Sequence, residues 1–197
     1  PSQKSYKDIK RGEGLWRRRL SDYFLDIAED GYVVATGPAE PSEEEVKSTQ
    51  SLCVAGEFTI CPATDCLNEC TSQSCNCSRS RNPAARDAFT RSVVQRVSEV
   101  AQGLQEVSYA SLGCGQLRFD FMFLESLLAA GVPVVSVHLV DLCYFDDQKD
   151  HEANRAAARL ALSQFAVWFT ARGVDVFAHE TVEKFAFRAR QAKLHPA

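Results

Sequence analysis

The sequence contains no apolar run long enough to cross a bilayer. Its longest stretches, 124–135 and 161–169, are interrupted by Glu125, Gly131, Pro133 or Gln164, well short of the ~20 residues that a spanning helix requires. No block of one charge sign is present either. Lys and Arg number 22 against 26 Asp and Glu, for a formal charge of −4, which excludes the basic footprint of a duplex-DNA binder and an acidic tail. No internal repeat and no CxxC pair occur, so neither a solenoid nor a zinc ribbon is indicated. The chain also lacks an initiator methionine and starts at Pro1. It is read as a processed product or a fragment, soluble, and either organellar after loss of a targeting segment or cytoplasmic.

What is present is ordinary globular composition, 45% hydrophobic and 24% charged over 197 residues, enough for one core with an extension. Six of the eight cysteines (Cys53, Cys61, Cys66, Cys70, Cys75, Cys77) fall within 25 residues, while Cys114 and Cys143 stand apart. Four thiolates among Cys61, Cys66, Cys70, Cys75 and Cys77 could close a tetrahedral zinc site. With intervals of five, four, five and two, zinc is the minor reading beside local disulfides or reduced thiols.

Two unlike halves follow. Residues 1–82 read as an N-terminal helix and an irregular Cys-rich extension. Within them, Leu15, Trp16, Leu20, Tyr23, Phe24 and Ile27 recur at intervals of three and four, predicting an amphipathic helix over 15–28 that docks on something. Arg17, Arg18 and Arg19 are its solvated face. A β-prone run at 32–36, a polar loop at 37–45 and two short apolar strands within 52–61 complete this half. The helix and the Cys-rich loop are the expected contacts for protein partners.

From residue 83 onward helix and strand alternate. Asn82-Pro83 starts a helix, with Phe89, Val93, Val94, Val97, Val100, Ala101 and Leu104 at helical spacing. Strands are predicted at 107–112, 133–139 and 174–178, and helices at 117–130, 151–171 and 181–193. This order implies an α/β domain over 83–197: a three-layer, Rossmann-like parallel sheet covered on both faces.

The chemistry concentrates at the first strand-to-helix turn, Ser111-Leu112-Gly113-Cys114-Gly115-Gln116. Glycines there permit a tight turn and close ligand approach, and the helix start offers free N–H groups. The next strand ends in Asp141, where a carboxylate can accept hydrogen bonds from both hydroxyls of a ribose. Turn and acid together suggest a nucleoside pocket. A dinucleotide fingerprint needs a third glycine where Arg118 stands, and no Walker lysine follows. His138, inside a strand, reads as a hydrogen-bonded sheet histidine.

The stretch 109–131, followed by 134–144, resembles motif I and the second-strand acid of class I S-adenosylmethionine-dependent methyltransferases. The likeness covers roughly 85–195, with Ser111 standing where that family carries an acid. The resemblance implies S-adenosylmethionine as cofactor. Gly113, Cys114 and Gly115 would lie against its methionine and ribose, Asp141 would hold the ribose hydroxyls, and Leu142 would pack on adenine. His179, with Glu180, would reach the adenine amino group. It also implies strands beyond the last helix, so a fragment, or a sheet completed by other segments or another chain, is expected. The acceptor is not readable and no catalytic residue is named. A non-catalytic subunit of the same fold with an assembly role, and another nucleotide-binding or metal/thiol α/β domain, stand as alternatives.

Overall fold

The computed structural model describes residues 20–38, 83–115, 117–145 and 152–191. The first part of the 15–28 helix, the polar loop beyond Pro38, the apolar pair within 52–61 and the six clustered cysteines, zinc candidates included, lie outside the described residues.

Two short strands, β1 (Phe24–Ile27) and β2 (Val33–Thr36), are followed by helix α1 (Pro83–Val100), strand β3 (Val107–Leu112), helix α2 (Arg118–Ala129) and strand β4 (Val134–Val140). Helix α3 (Glu152–Thr170), strand β5 (Asp175–His179) and helix α4 (Val182–Gln191) complete the order. β3, β4 and β5 form one sheet in that order, and both pairings are parallel. The chain is thus an α/β protein with a Rossmann-like layout, as the alternation of elements predicts.

β4 is the central strand, and its sequence, VVSVHLV, is suited to burial on both faces. Val137 and Leu139 point one way and are fully buried with Val176 and Ala178 of β5 against Leu162, Phe165 and Phe169 of α3. Helix α2 joins this side: Phe121 meets Phe165, Trp168 and Phe169 with ring centroids 5.3–6.4 Å apart. By the two-residue alternation of strands, His138 and His179 point to the opposite face. There they meet Phe185 of α4, with centroids 5.4 and 5.5 Å away.

That second face is covered over β4 and β5 but not over β3. Ser108, Ala110 and Leu112 are exposed, Leu112 to 62%, so among the described residues the expected third layer is partial. Spacing along α1 was also an incomplete guide. Val93, Val94 and Val97 pack on the core and Ala101 is buried, but Phe89 and Val100 are each 61% exposed.

The N-terminal segment departs further from its sequence pattern. Residues 24–27 are a strand, not the end of an amphipathic helix, and pair antiparallel with 33–36. Their link is a tight turn: Ala28 N–H donates to Tyr32 C=O (2.9 Å), Gly31 N–H to Ala28 C=O (2.8 Å) and Tyr32 N–H to the Asp30 carboxylate (2.9 Å). Gly31 has φ 90°, a left-handed conformation that glycine adopts freely. The hairpin is seated on the outer edge of β5 through an antiparallel bridge from Tyr32 to Phe177 and an Ala178 N–H···O=C Gly31 bond of 2.8 Å. Val33, 2% exposed, enters the same core as α3.

Candidate functional site

β3 and β4 run side by side and end together, and their last residues, Leu112 and Val140, are register partners. The chain leaves β3 through Gly113 and Gly115, at φ 70° and 56°. It then enters α2 through Leu117, which has φ 64° and is fully buried. A leucine in the left-handed region costs roughly 1–2 kcal/mol, here offset by burial of its side chain. Three left-handed residues in five make this the most contorted backbone among the described residues.

Asp141, the first residue past β4, closes the turn from the neighbouring strand. Its Oδ2 accepts from Gly115 N–H at 2.7 Å and its Oδ1 from Cys143 N–H at 3.0 Å. Behind it, the chain forms a short 3₁₀ turn, Leu142–Tyr144, capped by that same carboxylate. Tyr144 is fully buried, donates its hydroxyl to Gly115 C=O at 2.8 Å and meets Cys114 Sγ at 3.2 Å. Cys143 Sγ approaches the same carbonyl at 3.7 Å. Gly115 is therefore held at its N–H by Asp141 and at its C=O by Tyr144.

Burial governs the acidities here. It raises the Cys114 thiol to about 12, with the Tyr144 hydrogen bond working against the rise. It also raises Cys143, where Asp141 adds to the effect, and lifts Tyr144 well above its ordinary value. Both cysteines are free thiols, and neither is activated as a nucleophile. Just inside the turn, Asp120 of α2 is 2% exposed and accepts from Tyr109 Oη at 2.7 Å. Burial raises this carboxyl too, against the hydrogen bonds from Ser111 and Tyr109.

The structure thus brings Gly113, Cys114, Gly115 and Asp141 together, and leaves Leu142 beside them, 53% exposed. His179 is different. It is 3% exposed, and its Nε2 lies 3.1 Å from His138 Nδ1, so one ring donates to the other. The remaining nitrogen of His138 has no partner among the described residues, so the expectation of a fully hydrogen-bonded sheet histidine holds for only half the ring. Burial lowers His138 to about 4, with His179 adding to the fall, and lowers His179 as well, with Arg188 next in effect.

Two cavities lie to the side of the turn. One of about 570 Å³ is bordered by Asp26, Tyr144, Phe145, Glu152, Arg155 and Arg159. Another of about 310 Å³ lies between the hairpin turn and α4, with His179, Lys184 and Arg188 on its wall. Among the described residues no group of three or more His, Cys, Asp or Glu side chains is placed to hold a metal ion, and no helix is long and apolar enough to cross a membrane.

Sequence reasoning placed Cys143 beside the turn, where its Sγ lies, but missed Tyr144 and Asp120. Tyr144 had a usable signal: a tyrosine three residues beyond a strand-end acid can return to the adjacent turn. Asp120 had none, because an acid in the first turn of a helix is ordinarily a solvated partner of the helix dipole. Comparison with family models, with curated proteins and with solved structures finds no match for this chain.

Proposed function

We propose that the chain is a methyltransferase-like protein that binds S-adenosylmethionine at the C-terminal ends of β3 and β4. One observation carries this reading. The glycine turn and the strand-end acid, 26 residues apart from Gly115 to Asp141, meet at 2.7 Å directly before α2. Ligands of open α/β sheets bind beyond the carboxyl ends of the strands. Among the described residues, a Cβ built on Gly113 or on Gly115 meets nothing within 4 Å, which leaves the turn open there. Asp141 would take the ribose hydroxyls and exposed Leu142 would give the adenine an apolar wall. His179, committed to His138, is the weaker contact. The methyl group would pass to an acceptor positioned in line with the sulfonium.

Calorimetry with S-adenosylhomocysteine tests the reading. Binding that Asp141→Ala weakens at least about tenfold supports it; no binding to the folded chain overturns it. A second reading, a non-catalytic subunit with an assembly role, is favoured by the internal occupancy of the turn by Asp141 and Tyr144. On that reading Asp141→Ala lowers thermal stability, while no adenosyl compound raises it.

A further inference from the structure

The 310 Å³ cavity between the hairpin turn and α4 reaches the end of β5, where His179 stands on its wall. One edge of that ring is engaged: Nε2 lies 3.1 Å from His138 Nδ1. The opposite edge faces Gly31, where a Cβ would lie 2.9 Å from His179 Cε1 and 3.0 Å from Nδ1, and Gly31 borders the same cavity. Gly113, Cys114, Gly115 and Asp141 are not among the residues that border it, so this site is separate from the glycine turn and independent of the cofactor reading.

The second nitrogen of His138 decides which atom of His179 carries the proton. Burial lowers the pKa of both rings, so at pH 7 each is neutral and holds one N–H. If His179 donated from Nε2, the His138 proton would sit on its own Nε2, buried beside Phe177 and Phe185 with no acceptor among the described residues. Buried N–H groups without a partner are rarer than under-used acceptors. His138 therefore donates from Nδ1 and buries a bare nitrogen, and His179 is left with its proton on Nδ1, a donor at the cavity wall.

We propose that this cavity binds a small carboxylate with an apolar body: the carboxylate accepts from His179 Nδ1 and faces Arg188, while Ile27, Phe145 and Phe187 cover the body. Among the charges that act on His179, Arg188 outweighs Asp30, so the potential at the donor favours an anion. Arg188 is positioned by its bond to Glu29 C=O at 2.9 Å. Lys184, on the same wall, is paired with Glu180, and the Glu29 carboxylate is not among the groups that act on His179. The volume lies at the lower end of the roughly 300–1,000 Å³ of small-molecule sites, which suits one ring with a short acid arm. A bare inorganic anion would leave the apolar wall uncovered, and an apolar compound would leave the N–H unmatched.

Nitrogen-resolved NMR of the imidazoles and titration of the full chain with phenylacetate, at pH 7.5 and constant ionic strength, test the inference. Before ligand is added, His179 should show a protonated Nδ1 and a bare Nε2. Phenylacetate should then shift the His179 nitrogens and the Gly31 and Ala178 amides saturably, with a Kd below about 10 mM. Phenethylamine, of similar shape and opposite charge, and sulfate should not. His179→Phe keeps a buried ring without the donor and should lower the affinity at least about tenfold. Arg188→Gln, which leaves the His pair intact, should lower it about threefold or more and decides the matter if His179→Phe does not fold. A proton found on His179 Nε2 overturns the inference without any ligand. The absence of a saturable shift with phenylacetate, an equal response to either of the other compounds, or an affinity unchanged in folded His179→Phe or in Arg188→Gln overturns it as well.

Discussion

The imidazole of His138 sits among Phe177, Phe185 and His179, its Nε2 without a partner among the described residues, and burial lowers its pKa to about 4. Its ordinary value is 6.5. Between those values the unfolded chain binds more protons than the folded one, so stability rises with pH across the window. The contribution is complete above the ordinary value and is lost as pH falls toward the folded one. Thermal unfolding followed at several pH values between 7.5 and 4.5 should show the melting temperature falling with acidification, and falling less steeply in His138→Leu. Parallel profiles for the two proteins would show that His138 is not the group responsible. Tyr144 gives a second residue-level outcome. Tyr144→Phe keeps the buried ring but strips the part-buried Gly115 C=O of its 2.8 Å donor and leaves it the longer Cys143 Sγ contact at 3.7 Å, a loss of about 0.5–1.5 kcal/mol. A lower urea midpoint with faster exchange at the Gly115 amide is expected; an unchanged midpoint would show that water or Cys143 replaces the hydroxyl.

Among the elements, the β1–β2 hairpin shows where sequence patterning led astray. Leu20, Tyr23, Phe24 and Ile27 fit a helical period, but 24–27 is a strand whose Leu25 and Ile27 are half-buried against the core while Phe24 is exposed, so a two-residue alternation governs there. The deciding signal was Asp30-Gly31, a pair that favours tight hairpin turns, followed by the β-prone 32–36. It marks a hairpin between two strands as readily as a helix end. Strands β3 to β5 and helices α1 to α4 were legible because each is long enough to show its period, and β4 because it is rich in valine and leucine. The glycine turn and Asp141 were legible as a pair by residue type and order. Tyr144, Asp120 and the left-handed Leu117 were not, since their roles depend on register between strands. The hairpin's seat can be tested at Gly31. A Cβ there would lie 2.7 Å from Ala178 O and 2.9 Å from His179 Cε1, in a backbone conformation that itself costs about 1–2 kcal/mol for alanine. Gly31→Ala should therefore destabilise by at least that amount in urea titration and release the protection of the Ala178 amide. Retention of both would mean that the hairpin does not depend on close approach at Gly31.

At the scale of the molecule, protection should follow the sheet's layout. β4 has a paired strand on each side and side chains buried on both faces, whereas β3 has one partner among the described residues and exposes every second residue. Hydrogen exchange followed by mass spectrometry should rank β4 slowest, β5 next and the outer amides of β3 fast. Equal protection in β3 and β4 would show that something covers β3. The fold places the glycine turn, Asp141 and Tyr144 beside the carboxyl end of β4, the best-anchored strand, where a contorted backbone can be held in place.

The bridge between Tyr32 and Phe177 has one more consequence. By seating an antiparallel hairpin against β5, it occupies that margin, while the uncharged, proline-free outer margin of β3, VSYASL, has no strand beside it among the described residues. The sheet they form is therefore open to growth on one side. A strand that it acquires is laid down beside β3, and its end then abuts the glycine turn.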